Sequence, residues 1–190
     1  FRFDLSKGFT WSKSGWDNTD NARINLIKDY AKAIRTADPD SYIILEHWGN
    51  DGEESQYVRD GMHPWKKMNY EYCETAMGLN ADLSGTHKYL DNTWGATGWV
   101  TFMESHDEER MMASAEAYGT DMVKASYELR LDRAGINAAF FLLTPGPKMI
   151  WQFGEVGYDI SINDPDRTAA KPAHWEYYEN EARKGLFDAY

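Results

Sequence analysis

The sequence has a single cysteine, Cys73, which excludes an intrachain disulfide and a cysteine-built zinc site. Positive charge is also scarce: 20 Lys and Arg stand against 31 Asp and Glu, a formal net charge of −11 with acidic excess in both halves. There is no basic stripe on which phosphates or an anionic lipid surface would settle, so neither nucleic acid nor a membrane surface is an expected partner. Long apolar runs are missing too. The longest, Ala138 to Leu143, is far short of the roughly 20 residues that a membrane-spanning helix needs. Internal repeats, low-complexity tracts and linker-like stretches are absent, which points to one domain over residues 1–190 with no second domain. At 42% hydrophobic and 27% charged residues the composition is that of a folding chain. A length of 190 residues suits one domain or a piece of a larger one.

Aromatic side chains are abundant, with eight Trp and twelve Tyr. Each combines an apolar face with a polar tip, which suits a core and equally suits stacking on flat ligands edged with hydroxyls, such as sugar rings.

Apolar alternation marks strands at Phe1 to Ser6, Tyr42 to His47, Trp99 to Glu104 and Lys148 to Phe153. Because alternation starts at the first residue with no cap before it, the chain is expected to begin inside an element. Between the strands lie helical patterns. The first runs from about Asn18 to Ala37: Thr19 or Asp20 caps it, Ile24, Ile27, Ala31 and Ile34 share a face, and Asp38-Pro39 stops it. A second covers about Lys124 to Leu143 and ends at Thr144-Pro145-Gly146-Pro147, and a third covers Tyr177 to Tyr190. In the less patterned stretch from Asn50 to Gly98, Asp51-Gly52-Glu53-Glu54 reads as loop, Lys66 to Met77 as a site for a short strand, and Ser84 to Leu90 as a short helix. Strands alternating with helices of this length give βα units and a parallel sheet, since parallel neighbours need a long crossover.

Three of the strands end at or near a carboxylate: Asp4, Glu46 and Asp107. In parallel βα architectures the C-terminal strand ends share one face, so these carboxylates are expected to converge. Arg2 lies two residues before Asp4 and so on the same strand face, where a guanidinium favours an ionised carboxylate able to act as a nucleophile. Glu46 lies between Tyr42-Ile43-Ile44-Leu45 and His47-Trp48, surroundings that raise a carboxyl pKa and suit a general acid. Two carboxyls pushed in opposite directions are what glycoside hydrolysis uses.

Three motifs in order carry a family resemblance. Phe1-Arg2-Phe3-Asp4-Leu5-Ser6-Lys7 resembles the nucleophile motif of the α-amylase family of glycoside hydrolases (family thirteen), Leu45-Glu46-His47-Trp48-Gly49 its acid/base motif, and Phe102-Met103-Glu104-Ser105-His106-Asp107 its third-carboxylate motif. Residues Gly146 to Glu155 resemble the family's eighth strand and its next turn. The resemblance implies the C-terminal portion, about strands four to eight, of a (β/α)8 barrel, and a retaining hydrolysis of α-1,4-linked glucans. Asp4 would be the nucleophile, Glu46 the acid and then the base, and Asp107 the carboxylate that stabilises the transition state. Arg2, Lys7, Trp48 and His106 would contact substrate or hold the carboxylates. An α-glucosidase-type specificity for a disaccharide lies within the same family.

The sequence also departs from the family's pattern. Gly8 stands where a His usually comes after the Lys, Ser105 stands where Asn is common, and the first motif, with its sugar-binding His and calcium-linked Asn, has no counterpart. No cofactor is therefore expected within this chain, and any calcium would belong to the full-length protein. A complete barrel takes about 250 residues and eight strands, so the expected chain is an open part with exposed parallel edges, suited to a homodimer or to association with its missing N-terminal half. Polymer-degrading members usually act outside the cytoplasm, which is what the resemblance implies for localisation.

Other candidates have plainer readings. Asp159-Ile160-Ser161-Ile162-Asn163-Asp164 mimics the start of a calcium loop, but Asp164 replaces the required Gly and Ala170 the closing Glu, so a polar loop is the expectation. His47, His63, His87 and His174 lack metal-ligand spacing and read as surface or satisfied core histidines. Trp11, Trp16, Trp65 and Trp94 flank loops, where one or two could form a sugar platform.

Overall fold

A computed structural model describes residues 1–11, 17–90, 94 and 98–190, with the backbone alone at 87–90. It divides into two compact units, residues 1–66 with 87–100, and residues 67–86 with 101–190. The fold is α/β, and the strand pairs within each unit are parallel.

In the first unit β1 (Arg2–Phe3), β2 (Ile44–Leu45) and β3 (His63–Lys67) lie side by side, with Arg2 opposite Ile44 and Ile44 opposite His63. The crossovers that parallel pairing demands are α1 (Asn21–Ala37) and α2 (Asp51–Arg59). Helix α1 starts where Asp20 accepts the Ala22 N–H at 2.9 Å and ends at Asp38, ahead of Pro39. Its Ile24, Ile27 and Ala31 pack on Ile43, Leu45, Tyr57 and Met62, so the apolar stripe read from the sequence is the core face. Asp51 to Glu54 is not a loop: Asn50 caps α2 by accepting the Glu53 N–H at 3.0 Å, and those four acidic and small residues form its first turn. Asp and Glu suit that position because they face the positive end of the helix dipole.

The second unit holds β4 (Val100–Phe102), paired through Thr101 and Phe102 with β5 (Lys148–Met149), and the helices α3 (Asn69–Met77), α4 (Met111–Tyr118), α5 (Asp121–Ala125), α6 (Tyr127–Leu143) and α7 (Glu181–Ala189). Of the stretch from Lys66 to Met77, expected to hold a short strand, only Lys66 and Lys67 are strand, as the end of β3, and α3 begins at Asn69. The helix expected from Lys124 to Leu143 is two helices, because Ser126 turns extended and caps α6 by accepting the Leu129 N–H at 3.1 Å. Tyr72, Cys73, Met103, Met111, Ala115 and Phe141 form the main core of this unit. Burial pushes the Cys73 thiol up to about 12, the state of an inert core residue. The tail is a 3₁₀ turn, Trp175–Glu179, and then α7, which Asn180 caps.

The strands are shorter than the alternation suggests, and within four residues past β1, β2 and β5 the chain passes through a left-handed residue. Leu5 (φ 38°), Trp48 (φ 57°) and Phe153 (φ 60°) all adopt the left-handed conformation that side chains other than glycine avoid. Leu5 comes directly after Asp4, and Trp48 is itself a candidate site residue; non-glycine residues held this way cluster at functional sites.

Candidate active site

Arg2 projects from β1 and reaches two carboxylates at once. Its Nη2 donates to Asp4 Oδ1 at 2.9 Å, and its Nη1 donates to Glu46 Oε2. The guanidinium also lies 4.7 Å from the centre of the Trp65 ring, which helps to fix its position. Asp4 and Glu46 differ in environment as the sequence suggests: the Asp4 side chain is 68% exposed and that of Glu46 only 7%. Burial pushes the Glu46 carboxyl above its ordinary pKa, and a hydrogen-bonding contact with Asp4 adds to the rise. The Trp48 indole, whose Nε1 donates to Glu46 Oε1 at 3.4 Å, and the Arg2 charge act against it.

Lys7 is buried, and its ammonium donates to Asp17 Oδ1 at 3.0 Å and to the Trp48 carbonyl at 2.8 Å. The second bond holds the backbone of the left-handed Trp48. The Trp48 ring meets Trp65 edge-on, with centroids 6.4 Å apart. Trp65 is thus a buried residue of β3 rather than a loop-flanking platform. Trp11 is 93% exposed, Trp94 sits edge-on to Trp99 at 5.2 Å, and Trp16 lies outside the described residues.

Behind this group is a buried polar network. His47 is fully buried, with Nδ1 2.9 Å from Ser6 Oγ and Nε2 2.9 Å from Glu53 Oε1, which makes it the satisfied core histidine that its lack of metal spacing suggests. Glu53 also receives Arg23 Nε at 2.6 Å, Arg23 Nη2 at 2.8 Å, the Tyr57 hydroxyl at 2.9 Å and the Asp20 N–H at 2.9 Å. Those donors hold the Glu53 carboxyl far below the ordinary carboxylate range despite its burial. Burial lowers the His47 pKa, so the ring is neutral. The sequence pattern does not single out Glu53 as a buried polar anchor; its one local signal is Asn50 three residues before it, a helix-start signature.

The third motif belongs to the second unit. After β4, Glu104 is buried and accepts Arg110 Nη1 at 2.8 Å and the Met111 N–H at 2.7 Å, so its work is to anchor the start of α4. Ser105 Oγ accepts the Asp107 N–H at 3.1 Å. The Asp107 side chain is half exposed; Arg167 Nη2 donates to its carbonyl at 2.6 Å and lies 3.5 Å from Oδ1. His106 Nε2 is 3.5 Å from Asp107 Oδ2, and its ring lies 6.1 Å from Trp151. Ser105, His106, Trp151, Gln152, Tyr158 and Arg167 contribute to the lining of a cavity of about 160 Å³. The calcium-like stretch is spent on protein partners: Asp159 on Arg183 and the Tyr177 hydroxyl, and Ser161 on Glu109. His63 lies on β3 beside Tyr42, and His174 stacks on Tyr177 with ring centres 4.6 Å apart, while the side chain of His87 lies outside the described ones.

Comparison with known proteins gives a likeness in structure alone. No family model matches the sequence, and no curated protein does. Among solved structures the chain is similar to a cyclic α-maltosyl-(1→6)-maltose hydrolase from Arthrobacter globiformis. The TM-score is 0.56 for its complex with maltose, 0.55 for its complex with cyclic α-maltosyl-(1→6)-maltose and 0.54 for its ligand-free form. Identity is 18% in each case, over 87% of this chain and 36% of the hydrolase. The likeness is one of fold, and the chain spans about a third of the length of the enzyme it matches.

Proposed function

We propose that the chain carries the catalytic carboxylates of a retaining glycoside hydrolase that acts on α-linked glucans, within the C-terminal portion of an α-amylase-type (β/α)8 barrel. The observation that carries this reading is the pairing of an exposed Asp4 with a buried Glu46 of raised pKa across one guanidinium. A protonated Glu46 can give its proton to the departing glycosidic oxygen while ionised Asp4 attacks the anomeric carbon; Glu46 then takes a proton from the water that hydrolyses the ester. An oxygen of Asp4 and an oxygen of Glu46 lie within 4.8 Å of each other, nearer to the roughly 5–5.5 Å of retaining sites than to the roughly 6.5–9.5 Å of inverting ones, which need room for a water between the carboxyls. In this reading Arg2 orients Asp4 through its bond to Oδ1, Trp48 meets the substrate and Lys7 holds the Trp48 backbone beside it, while the family resemblance assigns Asp107 to the charge that develops on the sugar and His106 to substrate contact. The fold likeness to a hydrolase crystallised with maltose supports a glucose-based substrate.

The test is turnover of soluble starch, maltooligosaccharides and a panel of α-linked disaccharides, with the first-formed product anomer read by NMR. An α-anomer is expected first, and D4N and E46Q should each lose at least about 100-fold in rate. A β-anomer, or full activity in D4N, would overturn the mechanism, and exclusive turnover of a disaccharide would narrow the substrate. A second reading rests on the 36% coverage of the matched enzyme: a chain that binds glucan, or pairs with a further part of the barrel, without turning substrate over. Folded protein that binds maltoheptaose in a calorimeter and hydrolyses nothing would favour it.

A further inference from the structure

The β1–β2 ladder is two residues long, pairing Arg2 with Ile44 and Phe3 with Leu45. Asp4 lies beyond it, in a turn that enters the left-handed Leu5, so the ladder by itself does not fix where the Asp4 carboxyl stands relative to Glu46. Backbone bonding continues up to Glu46, whose N–H donates to the Phe3 carbonyl at 3.0 Å, and past the two carboxylates buried side chains add to it. Ser6, two residues after Asp4, is fully buried and donates its N–H to the Glu46 carbonyl at 2.8 Å. Its hydroxyl is 2.9 Å from His47 Nδ1 and 3.3 Å from the same carbonyl. One hydroxyl proton serves one acceptor well. Because the Glu53 carboxylate can only accept, His47 carries its proton on Nε2, and Nδ1 is left to receive the Ser6 proton. Glu53 in turn is locked by Arg23, whose Nη1 reaches back to the Lys7 carbonyl at 2.9 Å, in the same turn as Ser6. The loop is closed: Ser6, His47, Glu53, Arg23 and Lys7 tie the segments after Asp4 and Glu46 to each other through buried side chains.

We infer that Ser6 and His47, backed by Glu53 and Arg23, are positioning residues that set the separation of the Asp4 and Glu46 carboxyls. The consequence for rate rests on the hydrolase reading above; the geometric claim does not.

The experiment is a carboxyl ¹³C NMR titration of the 190-residue chain, which tracks Glu46 directly. In the parent, D4N should lower the Glu46 midpoint because a neighbouring negative charge is lost. In a Ser6→Ala background, the clamp hypothesis expects the D4N effect to fall to less than about half, because the two carboxyls are no longer held in register. His47→Asn, which keeps an acceptor near the Nδ1 position, should retain more of the effect than His47→Leu. An undiminished D4N effect in Ser6→Ala would overturn the inference and leave the network a stability element only. Should His47→Leu unfold, as judged by circular dichroism, the conservative Ser6→Ala still decides the matter. If the chain hydrolyses glucan, Ser6→Ala should lower kcat about ten-fold with KM held, the signature of a misplaced reacting pair. If it hydrolyses nothing, the functional reading fails while the titration still tests the clamp.

Discussion

At Glu53 five donor contacts converge on one carboxylate: Arg23 Nε and Nη2, His47 Nε2, the Tyr57 hydroxyl and the Asp20 N–H. Arg23 and Glu53 are both essentially inaccessible to solvent, so neither charge has water to fall back on. Removing one member of such a pair strands the other, and E53Q is expected to lose about 3–5 kcal/mol of unfolding free energy, read from urea midpoints at neutral pH. The double variant R23M/E53Q should recover part of that loss, because no guanidinium charge is left stranded and the Gln carbonyl still accepts from the donors around it; a single variant within about 0.5 kcal/mol of the parent would contradict the account. Glu53 also shows what a sequence hides. Arg2, Asp4 and Glu46 are legible because Arg2 stands two residues from Asp4, close enough to reach it although Asp4 has left the strand, and the apolar residues around Glu46 announce its environment. Glu53 meets Arg23 across 30 residues of chain, where α1 packs against α2, and His47 across 6, where the chain leaves β2, meetings that only the tertiary fold creates. Its charge argues for solvent, and a buried ion pair reverses that expectation.

The elements are legible where one local rule acts alone. Helix α1 has an apolar stripe, a cap and a stop, all within or beside its own residues, and its bounds come from them. Helix α2 escapes a reading by pattern because its first turn is acidic and its inward residues include Glu53 and Glu54, so no apolar period marks its buried face. The break between α5 and α6 hinges on Ser126, whose hydroxyl competes with the helix for a backbone N–H in a way that residue counts alone do not display. The α1 cap yields a prediction at this scale. Asp20 accepts the Ala22 N–H at 2.9 Å and the Thr10 hydroxyl at 2.6 Å, and the Thr10 bond is the main reason its carboxyl lies below the ordinary range. D20A should cost about 0.5–2 kcal/mol in urea denaturation, with D20N losing less because it still caps. Equal losses for Ala and Asn would show that charge, and not the cap, is what Asp20 supplies.

For the whole molecule, acidification acts in opposite directions on different groups, and the sign of each can be assigned. The net charge of −11 means that protonation first relieves self-repulsion, but at physiological salt screening over about 8 Å keeps that contribution small. His47, depressed below its ordinary 6.5 by burial, resists a proton that the unfolded chain accepts, so its contribution is present above 6.5 and is lost as pH falls below it. Glu46 acts in the other sense. With its pKa raised above the ordinary 4.5 by burial, it takes up a proton sooner in the folded state, favours the fold at low pH, and loses that contribution as pH rises through the folded value. Glu53 and Asp20, both depressed, stabilise fully above the ordinary carboxylate values of 4.5 and 3.8, and that stability drains away as pH falls through their folded pKa values. Three groups therefore lose stability on acidification and one gains. Urea midpoints taken from about pH 7 to about pH 3 should decline gently at first, where His47 and Glu46 partly offset, and then steeply once the unfolded carboxylates protonate. E46Q removes the offset and should steepen the upper part of the decline, whereas E53Q, already destabilised at neutral pH, should flatten the lower part. A midpoint that climbs steadily on acidification in the parent would mean that charge repulsion, and not the buried network, governs the stability of this chain.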